Sequence, residues 1–225
     1  MIAKTLHIEE LKLESGAVLS EGPVHYHQRG ACDGSKRIVW TFHALTANSN
    51  PEEWWAGLFS GDGMYAHWDA ICVNMLGSPY GSCSPLTHGG MSFPLTTIRD
   101  TVKAQCAVAS ALNIQHIDTL LGGSCGGYQA LEFAQAFTGS IDHMVLLATG
   151  AREMPWNKAI QRVSTSWQAA GLTWLWVALL HPDVFFRPNS LLLASSRDAV
   201  KNIYTLAWQW AHGGAFSTEF AGMGW

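Results

Sequence analysis

A short apolar run that breaks on a cluster of glycines and restarts at once as a helix places the tightest constraint on this chain. Residues 120–134 read LLGGSCGGYQALEFA. Ile117 and residues 118–121 have the character of a buried strand. Residues 125–137 place Ala130, Phe133, Ala134 and Phe137 on one face at helical spacing. The junction, Gly122-Gly123-Ser124-Cys125-Gly126, has the spacing G-x-S-x-G. A strand that turns sharply into a helix holds its central residue in a strained conformation. The positions two residues to either side must then be small for the backbones to close up. Such a bend lifts the Ser124 hydroxyl above the sheet and aims the first amides of the helix at it, which suits a nucleophile whose attack develops negative charge. A glycine-rich phosphate loop would share the strand–turn–helix setting, but neither a Lys-Ser/Thr ending nor a G-x-G-x-x-G opening is present. Shifted by one residue, Gly123-Ser124-Cys125-Gly126-Gly127 also fits G-x-C-x-G, with the Cys125 thiol as nucleophile. Spacing alone does not separate the two registers.

The same alternation extends through the first 150 residues. Leu6-His7-Ile8 with Leu11-Lys12-Leu13, then Val24-His25-Tyr26-His27, read as two strands joined by a turn at Ser15-Gly16. Residues 37–42 (RIVWTF), 69–74 (DAICVN), 117–121 and 143–148 (HMVLLA) are short apolar runs of the kind found in strands buried on both faces. Residues 97–112 read as a helix with Ile98, Val102, Cys106 and Ala109 on one face. Strands alternating with helices imply a mostly parallel α/β sheet, here preceded by an antiparallel hairpin. At 225 residues one large domain is the natural organisation. Residues 1–150 read as its core and residues 151–225 as a helical, lid-like segment rich in tryptophan, in which Leu191-Leu192-Leu193-Ala194 is the one candidate strand. Arg99 and Asp100 open the 97–112 helix. Asp100 suits its first turn by helix-dipole chemistry, and an electrostatic tie near Ser124 is the alternative.

Composition excludes several classes of function. A net charge of −4 gives no basic surface for nucleic acid. With 48% hydrophobic and 13% charged residues, against an average of about 25% charged, the chain has ample apolar surface for a packed core. The longest apolar run, residues 169–180, is too short to cross a bilayer, and the first sixteen residues lack the apolar block of a signal sequence. No membrane partner and a cytoplasmic location are the expectations. Five cysteines, odd in number and without a C-x-x-C, point to reduced thiols, with no metal site and no disulfide framework.

The glycine-flanked segment resembles the corresponding turn of the homoserine O-acetyltransferase family of α/β-hydrolase-fold enzymes. Further segments match in the same order: ESGAVL (14–19), FHALTANS (42–49), NMLGSPYGSCSP (74–85), FPLTTIRDTVKAQ (93–105), and LLATGAR (146–152) with Pro155-Trp156. The resemblance implies an α/β-hydrolase fold with Ser124, and not Cys125, as the nucleophile. Acetyl-CoA would acylate Ser124 as a co-substrate, with no resident cofactor. The acetyl group would then pass to the hydroxyl of L-homoserine, a step of methionine biosynthesis. The backbone amides of Leu45 and Cys125 would receive the developing oxyanion, and His43 would be structural. Acetyl-CoA and L-homoserine are the implied partners, with a homodimer left open.

Two departures accompany the resemblance. The order Ser, then Asp or Glu, then His is met here by Asp183 or Asp198 followed by His212, but their surroundings do not resemble the family's acid and base loops. Family members place both partners in sequence beyond residue 225, so the last strands are expected to be absent from this chain. The segment GLTWLWVALL (171–180) falls near a family segment that carries an arginine for the amino-acid carboxylate. Trp174 and Trp176 stand there instead, and an indole cannot make a bidentate carboxylate contact. An esterase with water as acceptor and a catalytically silent domain are therefore the alternative functions.

Overall fold

β1 (Ile2–Lys12) pairs antiparallel with β2 (Val18–Arg29), running from Ile2 opposite Gln28 to Lys12 opposite Val18. The turn between them closes through Leu13 N–H to Ala17 O at 2.9 Å, with Gly16 at φ 85. That conformation carries almost no penalty for glycine. In this computed structural model the residues described are 1–151. The lid-like segment expected over 151–225 and its candidate strand lie outside them from residue 152 onward, as does any test of the expected absence of the last strands.

The described residues form a six-stranded sheet in the order β1-β2-β4-β3-β5-β6, with β3 Ile38–Phe42, β4 Asp69–Val73, β5 His116–Gly123 and β6 Ser140–Leu147. β2 pairs antiparallel with β4, whereas β4, β3, β5 and β6 are mutually parallel. The architecture is the expected one, a mixed sheet whose antiparallel hairpin leads into parallel strands. Every residue of β3 and β4 is buried, which accounts for their unbroken apolar character in sequence.

Alternate residues of β3 face different layers. On one side Trp40 stacks on Phe133 at 4.9 Å between ring centroids, and Phe42 meets the same ring edge-on at 5.3 Å. Phe133 belongs to α4 (Cys125–Ala136), which packs beside α3 (Ile98–Ala111). Another buried cluster joins Val39, Ala70 and Leu121 to Phe59 and Tyr65, with Trp55, Leu58 and Trp68 packed against it. Two short helices, α1 (Pro51–Trp54) and α2 (Ala56–Phe59), together with the turns that follow, supply those aromatic residues. Hydrophobic spacing does not announce α1 and α2, since each is a single turn. At the far edge of the described sheet, Met144, Leu146 and Leu147 of β6 are exposed.

The buried faces of α3 and α4 are rotated from the stripes that apolar spacing alone predicts. Thr101 and Gln105 are buried on α3 while Ile98 and Cys106 are only half-buried, and Gln129 is buried on α4 while Ala134 is half-buried. Two of these polar residues are joined by one hydrogen bond, Gln105 Nε2 donating to Gln129 Oε1 at 2.8 Å, while Gln105 Oε1 has no partner among the described residues.

α3 opens with a capping box between Thr97 and Asp100. Fully buried, the Asp100 carboxylate also accepts from Glu14 N–H at 2.8 Å and Lys103 Nζ at 3.0 Å. Asp100 thus caps the helix and ties it to the β1–β2 turn. Arg99 lies on the surface and pairs with Glu132 at 3.0 Å and Glu14 at 3.5 Å. Among the described residues no helix is long and apolar enough to cross a membrane.

Candidate active site

Where β5 becomes α4, one residue carries the whole change of direction. Ser124 has φ 54 and ψ −120, a left-handed conformation that a non-glycine residue adopts only when its surroundings impose it. Two hydrogen bonds and two close approaches of the backbone do so. Ser124 N–H donates to Leu147 O at the end of β6 at 2.9 Å, and Ser124 O accepts from Gly127 N–H at 3.0 Å. A Cβ on Gly122 would strike the carbonyl group of Gly126, and one on Gly126 would strike the Phe42 carbonyl. Both obstacles are main chain, so neither can swing aside.

These contacts distinguish the two registers left open by spacing. In the G-x-S-x-G register both glycines face backbone. In the G-x-C-x-G register the flanking glycines face side chains: a Cβ on Gly123 would lie 3.1 Å from Trp55 Cζ2, and one on Gly127 would meet the side chain of Thr149. Ser124, not Cys125, occupies the strained position. Cys125 is buried and begins α4, so its amide belongs to the helix's first turn, where the dipole concentrates positive partial charge.

The loop that carries Leu45 leaves the end of β3 directly beside this bend, because Phe42 pairs with Gly122 across the sheet. Leu45 lies in a turn closed by Ala47 N–H to Ala44 O at 3.1 Å. The Phe42 and His43 carbonyls pack against Gly126, and Gln129 Nε2 donates to His43 O at 3.0 Å. The fold therefore draws the Leu45 loop and the first turn of α4 together, with Ser124 at their junction.

His43 is fully buried, and both ring nitrogens are engaged. Met75 N–H can only donate, so Nε2, 3.0 Å away, accepts; the proton sits on Nδ1 and is donated to Ala44 O at 2.7 Å. Burial pushes the imidazole down to about 4, so it is neutral near pH 7. A neutral ring with both nitrogens occupied holds the loop and is no base for Ser124. The 74–84 segment packs alongside: Asn74 Nδ2 donates to Tyr80 O at 2.6 Å, Ser82 Oγ donates to Asn74 O at 3.0 Å, and His25 N–H donates to Ser82 Oγ at 3.0 Å.

Ser124 Oγ is itself buried and has no hydrogen-bond partner among the described residues. None of those residues serves it as base. Asp183, Asp198, His212, Trp174 and Trp176 lie outside the described part. Potential metal ligands gather at the other end of the strands, where one atom each from His116, Asp118 and Asp142 lies within 4.8 Å of the others. Asp118 is already engaged there by Ile38 N–H at 2.7 Å. Burial raises Cys32 to about 12 and Cys83 and Cys106 to about 11, which leaves those thiols protonated and unreactive near neutral pH.

Hydrophobic patterning reveals neither Gln105 nor Gln129, although both support the site. The signal for them is a carboxamide placed within an otherwise apolar helical stripe, Gln129 standing four residues before Phe133.

Comparison with known proteins bears on the same residues. Residues 38–203 match the family described as alpha/beta hydrolase fold. Over 167 residues the chain is 37% identical to a homoserine O-acetyltransferase of Saccharomyces pastorianus, an alignment covering 68% of this chain and 34% of that protein. It is 36% identical over 170 residues to one of Corynebacterium efficiens, covering 70% of this chain and 45% of the relative. The chain thus spans less than half the length of these curated relatives. A crystal structure of homoserine O-acetyltransferase from Staphylococcus aureus superimposes with a TM-score of 0.70 at 26% identity, covering 95% of this chain and 74% of that one. A serine in left-handed geometry between two glycines hemmed in by backbone, at the end of a parallel strand, together with these matches, establishes that the chain belongs to the α/β-hydrolase fold family and is similar in sequence to homoserine O-acetyltransferases.

Proposed function

We propose that the chain carries the acyl-accepting half of an acyltransferase, which moves an acetyl group from acetyl-CoA to the side-chain hydroxyl of L-homoserine through an acyl-Ser124 intermediate. Ser124 Oγ attacks the thioester carbonyl and its proton passes to a base outside residues 1–151. The carbonyl oxygen becomes an oxyanion, and the Leu45 and Cys125 amides donate to it. Collapse of that intermediate expels CoA, whose sulfur takes the proton back from the base, and leaves the acetyl ester on Ser124. The homoserine hydroxyl then attacks the ester as it gives its proton to the same base, and a second collapse returns that proton to Ser124 Oγ and releases O-acetylhomoserine. Each oxyanion donor of this kind contributes on the order of 3 kcal/mol to the barrier reduction.

The observation that carries the proposal is the conformation of Ser124, φ 54 between two glycines that backbone prevents from being anything larger. Strain of this kind costs roughly 1–3 kcal/mol and persists where the surrounding structure enforces it. The choice of homoserine and acetyl-CoA is supported by the similarity to homoserine O-acetyltransferases. The same similarity supports a role for the reaction in methionine biosynthesis.

Release of free CoA thiol, followed with and without L-homoserine, is the deciding assay. Release that depends on homoserine supports the acyltransferase. Equal release without an acceptor identifies a hydrolase that uses water, and no release together with no acylation of Ser124 identifies a silent domain.

A further inference from the structure

Three polar side chains beside the bend are as deeply buried as any in the described core, and none touches the reacting atoms in the scheme above. His43, Gln105 and Gln129 are all fully buried. The two glutamine side chains and the main-chain carbonyl of His43 form one directed chain. Gln105 Nε2 donates to Gln129 Oε1 at 2.8 Å, and Gln129 Nε2 donates to His43 O at 3.0 Å. The direction is set at its end: a backbone carbonyl only accepts, so Gln129 must present its NH₂ to His43 O, which leaves its Oε1 to accept from Gln105.

We propose that Gln129 is a positioning residue, which clamps the main chain at His43 to α4 and so sets where the Leu45 amide points relative to Ser124. The proposal rests on reading Leu45 as an oxyanion donor. Its physical basis is that α4 grips the loop at two places on one helical face, three residues apart. Gly126 admits the Phe42 and His43 carbonyls in van der Waals contact, and Gln129 holds the His43 carbonyl by a hydrogen bond. The same helix begins with Cys125, so the clamp joins the two proposed donors to one rigid element. Burying a carboxamide is costly unless it is bonded, and an apolar side chain would fill the same space. A glutamine here meets a need that volume alone does not explain: the donor that a buried loop carbonyl requires. Gln105 buttresses the carboxamide from α3 without touching the loop.

The test compares Gln129→Met and Gln105→Met in the full chain, since methionine approximates the volume of glutamine without a donor. Hydrogen exchange of residues 42–48 should speed up about tenfold or more in Q129M, with residues 38–41 of β3 and the rest of α4 unchanged. Acylation of Ser124 by p-nitrophenyl acetate should fall about tenfold to a hundredfold in kcat with KM nearly constant, because a misdirected donor weakens only the transition state. Q105M should lose less than about tenfold, because His43 O keeps its donor. Wild-type exchange at 42–48 in Q129M overturns the clamp. Raised exchange with an unchanged acylation rate overturns its positioning role. If the wild-type chain is not acylated at all, the acyltransferase proposal fails instead, and the exchange measurement still decides the clamp. Should Q129M not fold, the wild-type protein supplies the result by NMR: the Gln129 side-chain amide protons must be protected from solvent and scalar-coupled to the His43 carbonyl, and rapid solvent exchange there overturns the proposal.

Discussion

At the carboxyl ends of β3 and β5 the chain has no room left for side chains, whereas at their amino ends it carries charges in open solvent. Around Ser124, glycines press against carbonyls, and the buried amides and imidazole beside it are bonded along a defined direction. At the other end His116 sits 3.3 Å from Asp142 and 3.9 Å from Asp118, with His116 and Asp142 about half exposed. The strands are the same and so is their pairing, so the contrast does not come from topology. It shows where backbone stereochemistry has been given over to holding one residue in place. Substitutions should be punished at one end and tolerated at the other.

The largest effect expected is chemical. Ser124→Ala should remove acyl transfer to the chain by roughly 10³-fold or more while leaving the fold intact, since the methyl group fits the same bend. Thiol release from acetyl-CoA and a thermal melt check the two halves of that statement, and residual acylation at wild-type rate would place the nucleophile elsewhere. Next comes Gly126→Ala. Its Cβ meets the Phe42 carbonyl, so either β3 or α4 must move, at a cost of roughly 3 kcal/mol or more in urea denaturation. A melt unchanged from wild type would mean that the close approach is not enforced.

A third expectation concerns pH. The folded-state pKa of His43 is lowered from 6.5 to about 4, so the unfolded chain binds a proton in that interval and the folded chain does not. Stability contributed by the neutral ring is complete above pH 6.5 and declines as pH falls towards 4, by about 3 kcal/mol at most. Burial lowers His25 and His27 too, and their contributions have the same sign. Denaturation midpoints measured across that range should show a shallower slope in His43→Gln than in wild type, and parallel slopes would count against the buried neutral imidazole. The smallest effect belongs to the other end of the strands. Asp142→Asn breaks an exposed pair and should change stability by less than about 0.5 kcal/mol, with no change in acylation.

Much of this contrast is legible in the amino-acid sequence, and what is not has a physical reason. The bend is legible because stereochemistry restricts it to one arrangement: small residues at positions 122 and 126 around a polar side chain, between a buried strand and a helix. The central strands are legible because residues such as Val39, Trp40 and Ile71 are buried on both faces and leave no polar alternation. Spacing alone did not choose between Ser124 and Cys125, since glycines flank both; only the identity of the obstructing atoms, backbone around Gly122 and Gly126 and side chains around Gly123 and Gly127, distinguishes them. The helices α1 and α2 are not legible because four residues are too few to establish a period. Gln105 and Gln129 were hidden for a different reason. A polar residue in a helical stripe reads as solvent-facing unless its partner is known, and that partner lies on another helix.

Identification of the residue that takes up an acyl group tests the central claim most directly. After incubation with acetyl-CoA or a fluorophosphonate and digestion, tandem mass spectrometry of the peptide spanning residues 120–134 should place a single adduct on Ser124, and Ser124→Ala should abolish it. An adduct on Cys125, or one that survives in the Ser124→Ala protein, would contradict the assignment of this bend as the site of acyl capture.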